Sequence, residues 1–169
     1  MTSTQDPTEF RTYTLPTSGL KARTLISGDL EIICSQRRRM FADVGRPDSE
    51  LIPMEAAFRE WLRPRLADGR YFGFLVEDTG EIIAGIGLFL LDWPPHFLHP
   101  TESQRGYILN VFTETPHRGR GIATDLMLLA EDEFRRRGLS YVVLHASPFG
   151  RPIYEKLGWE SSTEMSKIL

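Results

Sequence analysis

Cysteine is almost absent from this 169-residue chain, which has one, Cys34. No internal disulfide can therefore brace the fold, and no Cys/His spacing of a structural metal site occurs. Long hydrophobic runs are missing as well: "IIAGIGLFLL" is among the longest, far short of the ~20 residues that a membrane-spanning helix needs. Charge of one sign is lacking, since 20 Lys+Arg against 23 Asp+Glu leave a formal net charge of -3. Such a balance gives no whole-chain attraction to nucleic acid or to an acidic membrane. The opening "MTSTQDPTEF" has neither the basic start nor the apolar stretch of a secretory signal. Together these absences predict a reduced, cytoplasmic setting, no metal, and neither nucleic acid nor membrane as partner. Two nucleotide-binding signatures are also missing. There is no GxxxxGK[ST] loop, and no GxGxxG followed by an acidic residue about twenty positions later. A phosphoryl-transfer protein would need the lysine and magnesium ligands that go with them.

What remains is ordinary for a globular chain, with 41% hydrophobic and 25% charged residues. The length predicts a single domain over residues 19–169. Residues 1–18 are polar, hold two prolines and show no period, so they read as a loose tail. Periodicity then predicts a strand at 20–26, a helix at 27–45 and a second helix at 49–69, with Pro64 as its kink or break. A hairpin follows at 71–78 and 81–93 with "TG" between its arms, then a proline-rich loop at 94–106. A strand at 107–114, a long helix to residue 137, a strand at 141–147, a short helix at 150–158 and a final strand within 159–169 complete the reading. Two early helices, a central meander and a late βαβ unit predict an α/β (α+β) mixed sheet.

"TPHRGRGIATDLM" is the informative stretch. Ile122, Leu126, Leu129, Ala130 and Phe134 fall on one helical face, Asp125 lies in the first turn, and Arg135, Arg136 and Arg137 precede Gly138. The helix direction is thereby set. Its positive end and its unpaired amides point back at "HRGRG", which directly follows a strand. A strand, a glycine turn and a helix start make a cradle for an anion such as phosphate.

"RGRGIA" reads R-x-x-G-x-A through Arg118, Gly121 and Ala123. It resembles the pyrophosphate-binding motif of the GNAT superfamily of acyl-CoA-dependent N-acetyltransferases. "ILNVFTETPHRGRGIA" resembles that family's fourth strand running into its pyrophosphate loop, "YEKLGW" at 154–159 its late Y-E-K-L-G-F element, and "RRRMFADVG" a first helix of one branch. The likeness runs from about residue 20 to the end.

The resemblance implies a mainly antiparallel sheet whose fourth and fifth strands splay apart to admit acetyl-CoA, with about four helices around it. It implies that Val111 and Thr113, with Phe112 alongside, offer backbone groups to pantetheine. The amides of Arg118, Gly119, Arg120, Gly121, Ile122 and Ala123, with the Thr124 hydroxyl, would hold the pyrophosphate, and a Cβ on either glycine would crowd the phosphate oxygens. Ser147 stands where relatives carry an asparagine that bonds pantetheine, and Arg151 is placed to reach a CoA phosphate. Tyr154 occupies the position of a tyrosine that protonates the CoA sulfur. The base stays open. Tyr107 replaces a glutamate used by some members, leaving Glu114, His145, Asn110 or a water chain to bulk solvent.

The implied activity is acetyl transfer from acetyl-CoA to a small-molecule or peptide amine by direct attack on the thioester. The alternative is an acyl-CoA-binding module without turnover, and a homodimer is left open. Met40 and Phe41, together with the 94–104 loop, are expected to border the amine site. "QRRR" at 36–39 is expected to be a solvated helix face, and His96 and His99 show no metal-ligand geometry.

Overall fold

The computed structural model describes residues 10–169. Its sheet has six strands laid side by side in sequence order: β1 (Thr12–Thr14), β2 (Lys21–Thr24), β3 (Tyr71–Asp78), β4 (Glu81–Asp92), β5 (Gln104–Thr113) and β6 (Val142–Leu144). Every neighbouring pair is antiparallel except β5 with β6. Four helices flank it: α1 (Leu30–Asp43), α2 (Asp48–Ala67), α3 (Ile122–Arg136) and α4 (Arg151–Lys156). The mixed sheet read from the sequence is thus the sheet observed.

Alternation along the strands divides the core in two. Phe72, Phe74 and Val76 of β3 and Ala84, Ile86 and Leu88 of β4 pack with Ile122, Leu126, Met127, Ala130 and Phe134 of α3. Tyr71 points to the opposite face, where Ile33 and Cys34 of α1 meet Phe58, Leu62 and Leu66 of α2. The apolar stripe foreseen for α3 is buried at Ile122, Leu126, Ala130 and Phe134 and partly buried at Leu129. α2 runs unbroken through Pro53 and Pro64. Pro53 lies near the helix start, where a missing N–H matters less, and the helix resumes its bonding beyond Pro64 with Asp68 N–H donating to the Pro64 carbonyl at 3.1 Å.

Two expectations are corrected. The first concerns the tail. Residues 1–9 lie outside the described residues, but Thr12–Thr14 form β1 against β2, and Leu15 is buried. The cause is a long-range clamp that no local pattern announces. Asp125, 1% exposed, accepts hydrogen bonds from the Thr17 and Ser18 amides and from the Ser18 hydroxyl, at 3.0 to 3.2 Å. The second concerns the C-terminus: residues 159–169 form no strand, and 160–169 are exposed. Met165, Ile168 and Leu169 are too few and too irregularly spaced to line one face of a strand.

Candidate functional site

Two glycines set the turn between β5 and α3. Gly119 and Gly121 adopt φ of 78° and 77°, the left-handed region that a side chain disfavours. At Gly121 a Cβ would also come within 2.5 Å of the Thr17 methyl, whereas one at Gly119 would meet nothing within 4 Å. Glycine at 119 is therefore required by the backbone itself, and at 121 by the backbone and by the folded-back N-terminal segment. Helix α3 starts at Ile122 without a side-chain cap. None of the backbone N–H groups of residues 119–124 has an acceptor among the described residues. Unpaired amides at the positive end of a helix form an anion site. The arginine side chains are turned to neighbouring carboxylates: Arg118 donates to the Thr113 carbonyl at 2.9 Å and pairs with Asp43, and Arg120 pairs with Asp78 at 3.1 Å. In this arrangement the cradle consists of backbone.

Directly before the cradle the sheet forks. β6 pairs with β5 only through Gly106, Tyr107 and Ile108, so residues 109–113 have no strand beside them on that edge. A bulge sits at the point of separation, where the register against β4 shifts between Gly85 and Gly87 and Asn110 takes φ 55°. Asparagine tolerates this conformation better than most side chains. Val111 and Thr113 line the open part of the strand, and the buried Phe112 ring has the Arg39 and Arg118 guanidiniums 5.1 and 5.8 Å from its centroid.

Across the fork, Ser147 serves α4, its hydroxyl accepting from the Gly150 amide at 3.1 Å. Arg151 is exposed and reaches Glu155 and Ser161. Tyr154 is buried against Gly150, where a Cβ would lie 2.8 Å from its hydroxyl. Burial pushes its phenol above the usual tyrosine range, and the hydroxyl has no hydrogen-bond partner among the described residues. It is thus held as a protonated donor.

The α1 side differs most from expectation. Residues 36–39 are not a solvated face. Gln36 is 3% exposed, with its oxygen against Gly85 and its amide nitrogen buried without a partner. Arg37 donates to the Asn110 side-chain oxygen at 2.6 Å, and the Asn110 amide donates to the Tyr71 hydroxyl at 2.8 Å. Sequence periodicity missed this because arginine, asparagine and tyrosine read as surface residues. No pattern in the sequence marks the contact, because the positive φ that turns Asn110 toward Arg37 is set by the folded strand.

The base candidates are drawn into partnerships of their own. Glu114 pairs with Arg39 at 2.5 Å. Asn110 has both ends of its amide engaged. His145 takes the Tyr107 hydroxyl at Nδ1 and stands 3.6 Å from Glu164 through Nε2, while burial and the Glu164 charge raise the Tyr107 phenol. Phe41 lies beneath Arg37, with the guanidinium carbon 4.9 Å from its centroid, and Met40 is half-buried beside it. The 94–104 loop lies elsewhere. His99 stacks on Tyr141 and Glu102 binds Ser140, which fixes the loop at the paired end of the β5–β6 ladder. Asn110 is six residues further along β5 from Gln104, about 20 Å away. The loop expected to border the amine site thus lies at the far end of β5 from the open part of the strand.

The fork with its amide cradle has counterparts in known proteins. Residues 34–159 match the Acetyltransferase (GNAT) family. The chain belongs to that family. Among solved structures, this GNAT chain is similar to a GCN5-related N-acetyltransferase from Ralstonia eutropha JMP134 at 48% identity, with 89% of this chain and 99% of that one covered and a TM-score of 0.87. It is similar to a predicted acetyltransferase from Clostridium acetobutylicum, solved with acetyl-CoA, at 28% identity, 89% and 96% coverage and a TM-score of 0.80. A transcriptional regulator from Bacillus halodurans C-125 shares the fold at 23% identity, 89% and 99% coverage and a TM-score of 0.65. No curated protein matches this GNAT chain in sequence. Among the described residues, no helix is long and apolar enough to cross a membrane.

Proposed function

We propose that the protein transfers the acetyl group of acetyl-CoA to an amine of a small-molecule or peptide acceptor, by direct attack of that amine on the thioester. The observation that carries this reading is the run of unpaired amides over residues 119–124, set at the start of α3 and immediately beyond the open part of β5. These amides would hold the pyrophosphate, with the Thr124 hydroxyl beside them. The open edge of residues 111–113 would offer backbone groups to the pantetheine arm.

The chemistry divides between two protons. A protonated amine has no lone pair for attack, so one proton leaves it for water or a base reached through water. As the new C–N bond forms and the C–S bond breaks, the sulfur takes up a second proton. Tyr154 is the donor: its phenol, raised by burial, gives a proton to a thiolate whose acid has a pKa near 8.5. Since Asn110 and Glu114 are engaged in structural pairs, proton removal falls to water or to the Tyr107–His145 pair at the fork.

Calorimetric titration with acetyl-CoA tests the cradle, and release of free CoA thiol against a panel of amines tests turnover. Acetyl-CoA binding without thiol release for any amine would make the protein a binding module. Failure to bind acetyl-CoA at all would remove the reading.

A further inference from the structure

The α1 side of the fork carries a cation that the fold does not neutralise. Arg37 donates from Nη1 to the Asn110 oxygen at 2.6 Å, and its Nε is buried without a partner. No carboxylate among the described residues pairs with it. Its sequence neighbours are different: Arg38 meets Asp48 and Glu55, and Arg39 meets Glu114. The Arg37 guanidinium lies between two rings, its carbon 4.9 Å from the Phe41 centroid and 4.5 Å from that of Phe58. The ionisable groups that face it are the Tyr71 and Tyr107 phenols and the Cys34 thiol, all neutral near pH 7. A guanidinium in a protein stays charged, and a half-buried charge met only by a neutral amide is unfavourable until an anion arrives. The arrangement is also fixed in advance, because the Tyr71 hydroxyl holds the other end of the Asn110 amide at 2.8 Å.

Position gives this charge a use. Asn110 is the bulge residue at which β5 parts from β6, and Val111 follows it on the open strand. Arg37 is thus one hydrogen bond from the strand segment assigned to the acyl donor, on the face covered by α1 and α2 and opposite α3. We propose that Arg37 binds a carboxylate of the acceptor, so that the substrate is a small amine that also carries a carboxylate, such as an amino acid. This inference rests on the acyl-transfer reading above. One uncompensated cation matches one carboxylate charge, whereas a phosphate dianion would be left half neutralised.

The test is calorimetry on the protein saturated with CoA. The ligands are α-amino acids, β-alanine, γ-aminobutyrate and aminobenzoates, each measured beside its own carboxamide. Loss of a charge-assisted contact predicts that at least one acid binds about tenfold or more tighter than its amide. Arg37→Gln abolishes that preference and leaves acetyl-CoA affinity intact. Arg37→Lys retains the charge without the planar fork and keeps only part of it. Equal binding of every acid and its amide overturns the inference, as does a preference that survives in Arg37→Gln. If Arg37→Gln does not fold, an undiminished preference in Arg37→Lys does the same. Tighter binding of an aminophosphonate than of its matched amino acid also overturns it. Selective binding of acids without thiol release would instead count against acetyl transfer, and would leave carboxylate recognition standing.

Discussion

At Tyr154 a packed ring and a catalytic hydroxyl predict different kinetics. The side chain sits in the α3 core cluster, so its ring contributes to packing whatever its hydroxyl does. Tyr154→Phe keeps the ring. Loss of a general acid lowers turnover by about 10²-fold to 10⁴-fold. We expect kcat to fall by at least about tenfold, less than that range because water substitutes in part, with acetyl-CoA affinity unchanged by calorimetry. The raised phenol also fixes the sign of a pH effect. The donor is fully protonated below its usual pKa of about 10, so any decline of kcat that Tyr154 causes falls on the alkaline side and above that value. A pH–rate profile in which Tyr154→Phe retains the wild-type alkaline limb and rate would make this tyrosine structural. The motif "YEKLGW" made the residue legible in the sequence. Arg37 was legible only as one member of a basic run, because its meaning comes from Asn110, 73 positions away.

The α3 start was readable as an element because its signals are local: glycines, an apolar stripe and terminal arginines lie within one stretch of chain. Substituting Gly121 with valine forces a β-branched residue into φ 77° and against Thr17. Strain of this kind is worth about 1–3 kcal/mol. Acetyl-CoA affinity should drop about tenfold or more, and unchanged calorimetric affinity in a folded Gly121→Val would move the pyrophosphate elsewhere. β1 was not readable. Three strand residues are too short a run to announce a strand, and the segment that follows them is held by a carboxylate 107 to 108 positions downstream of Ser18 and Thr17. Asp125→Ala should leave the Thr17 and Ser18 amides without their acceptor, costing about 1–3 kcal/mol. The expected signs are a lower Tm and faster amide exchange in residues 12–18; slow exchange there would show that β1 stands without the clamp.

Across the whole molecule, Glu133 gathers charge from its own helix end and from the N-terminal segment. It is buried, and it accepts from Arg11 of the N-terminal segment, from Arg136 of α3 and from Arg137 just beyond it. Burial acts to raise its carboxyl, but the hydrogen bonds from Arg136 and Arg137 and the nearby positive charges outweigh that, and the net shift is downward. A depressed acid stabilises the fold above its unfolded pKa of about 4.3, and the contribution disappears as pH falls through the lower folded value. Glu133→Gln should therefore lower Tm clearly at pH 7 and progressively less below about pH 4. A Tm difference independent of pH would show that shape, not charge, matters at this position. The overall architecture was legible because strand order follows sequence order; the two clamps, which join segments more than a hundred residues apart, were not.

That strand order has a consequence for synthesis. As the chain emerges from the ribosome, β1 to β5 can be laid down one after another, the newest strand always arriving at the growing edge, and only the β2–β3 pairing has to close a long stretch of chain, across α1 and α2. α3 comes late and adds two polar ties to the segments on either side of the oldest strand, through Asp125 and Glu133. The first strand made thus pairs early with β2 and gains its α3 anchors only late. A nascent chain halted before residue 122 should carry a sheet whose leading edge is open, and such unpaired edges invite association. The span between completion of β5 and completion of α3 is therefore the interval in which this protein most needs a chaperone.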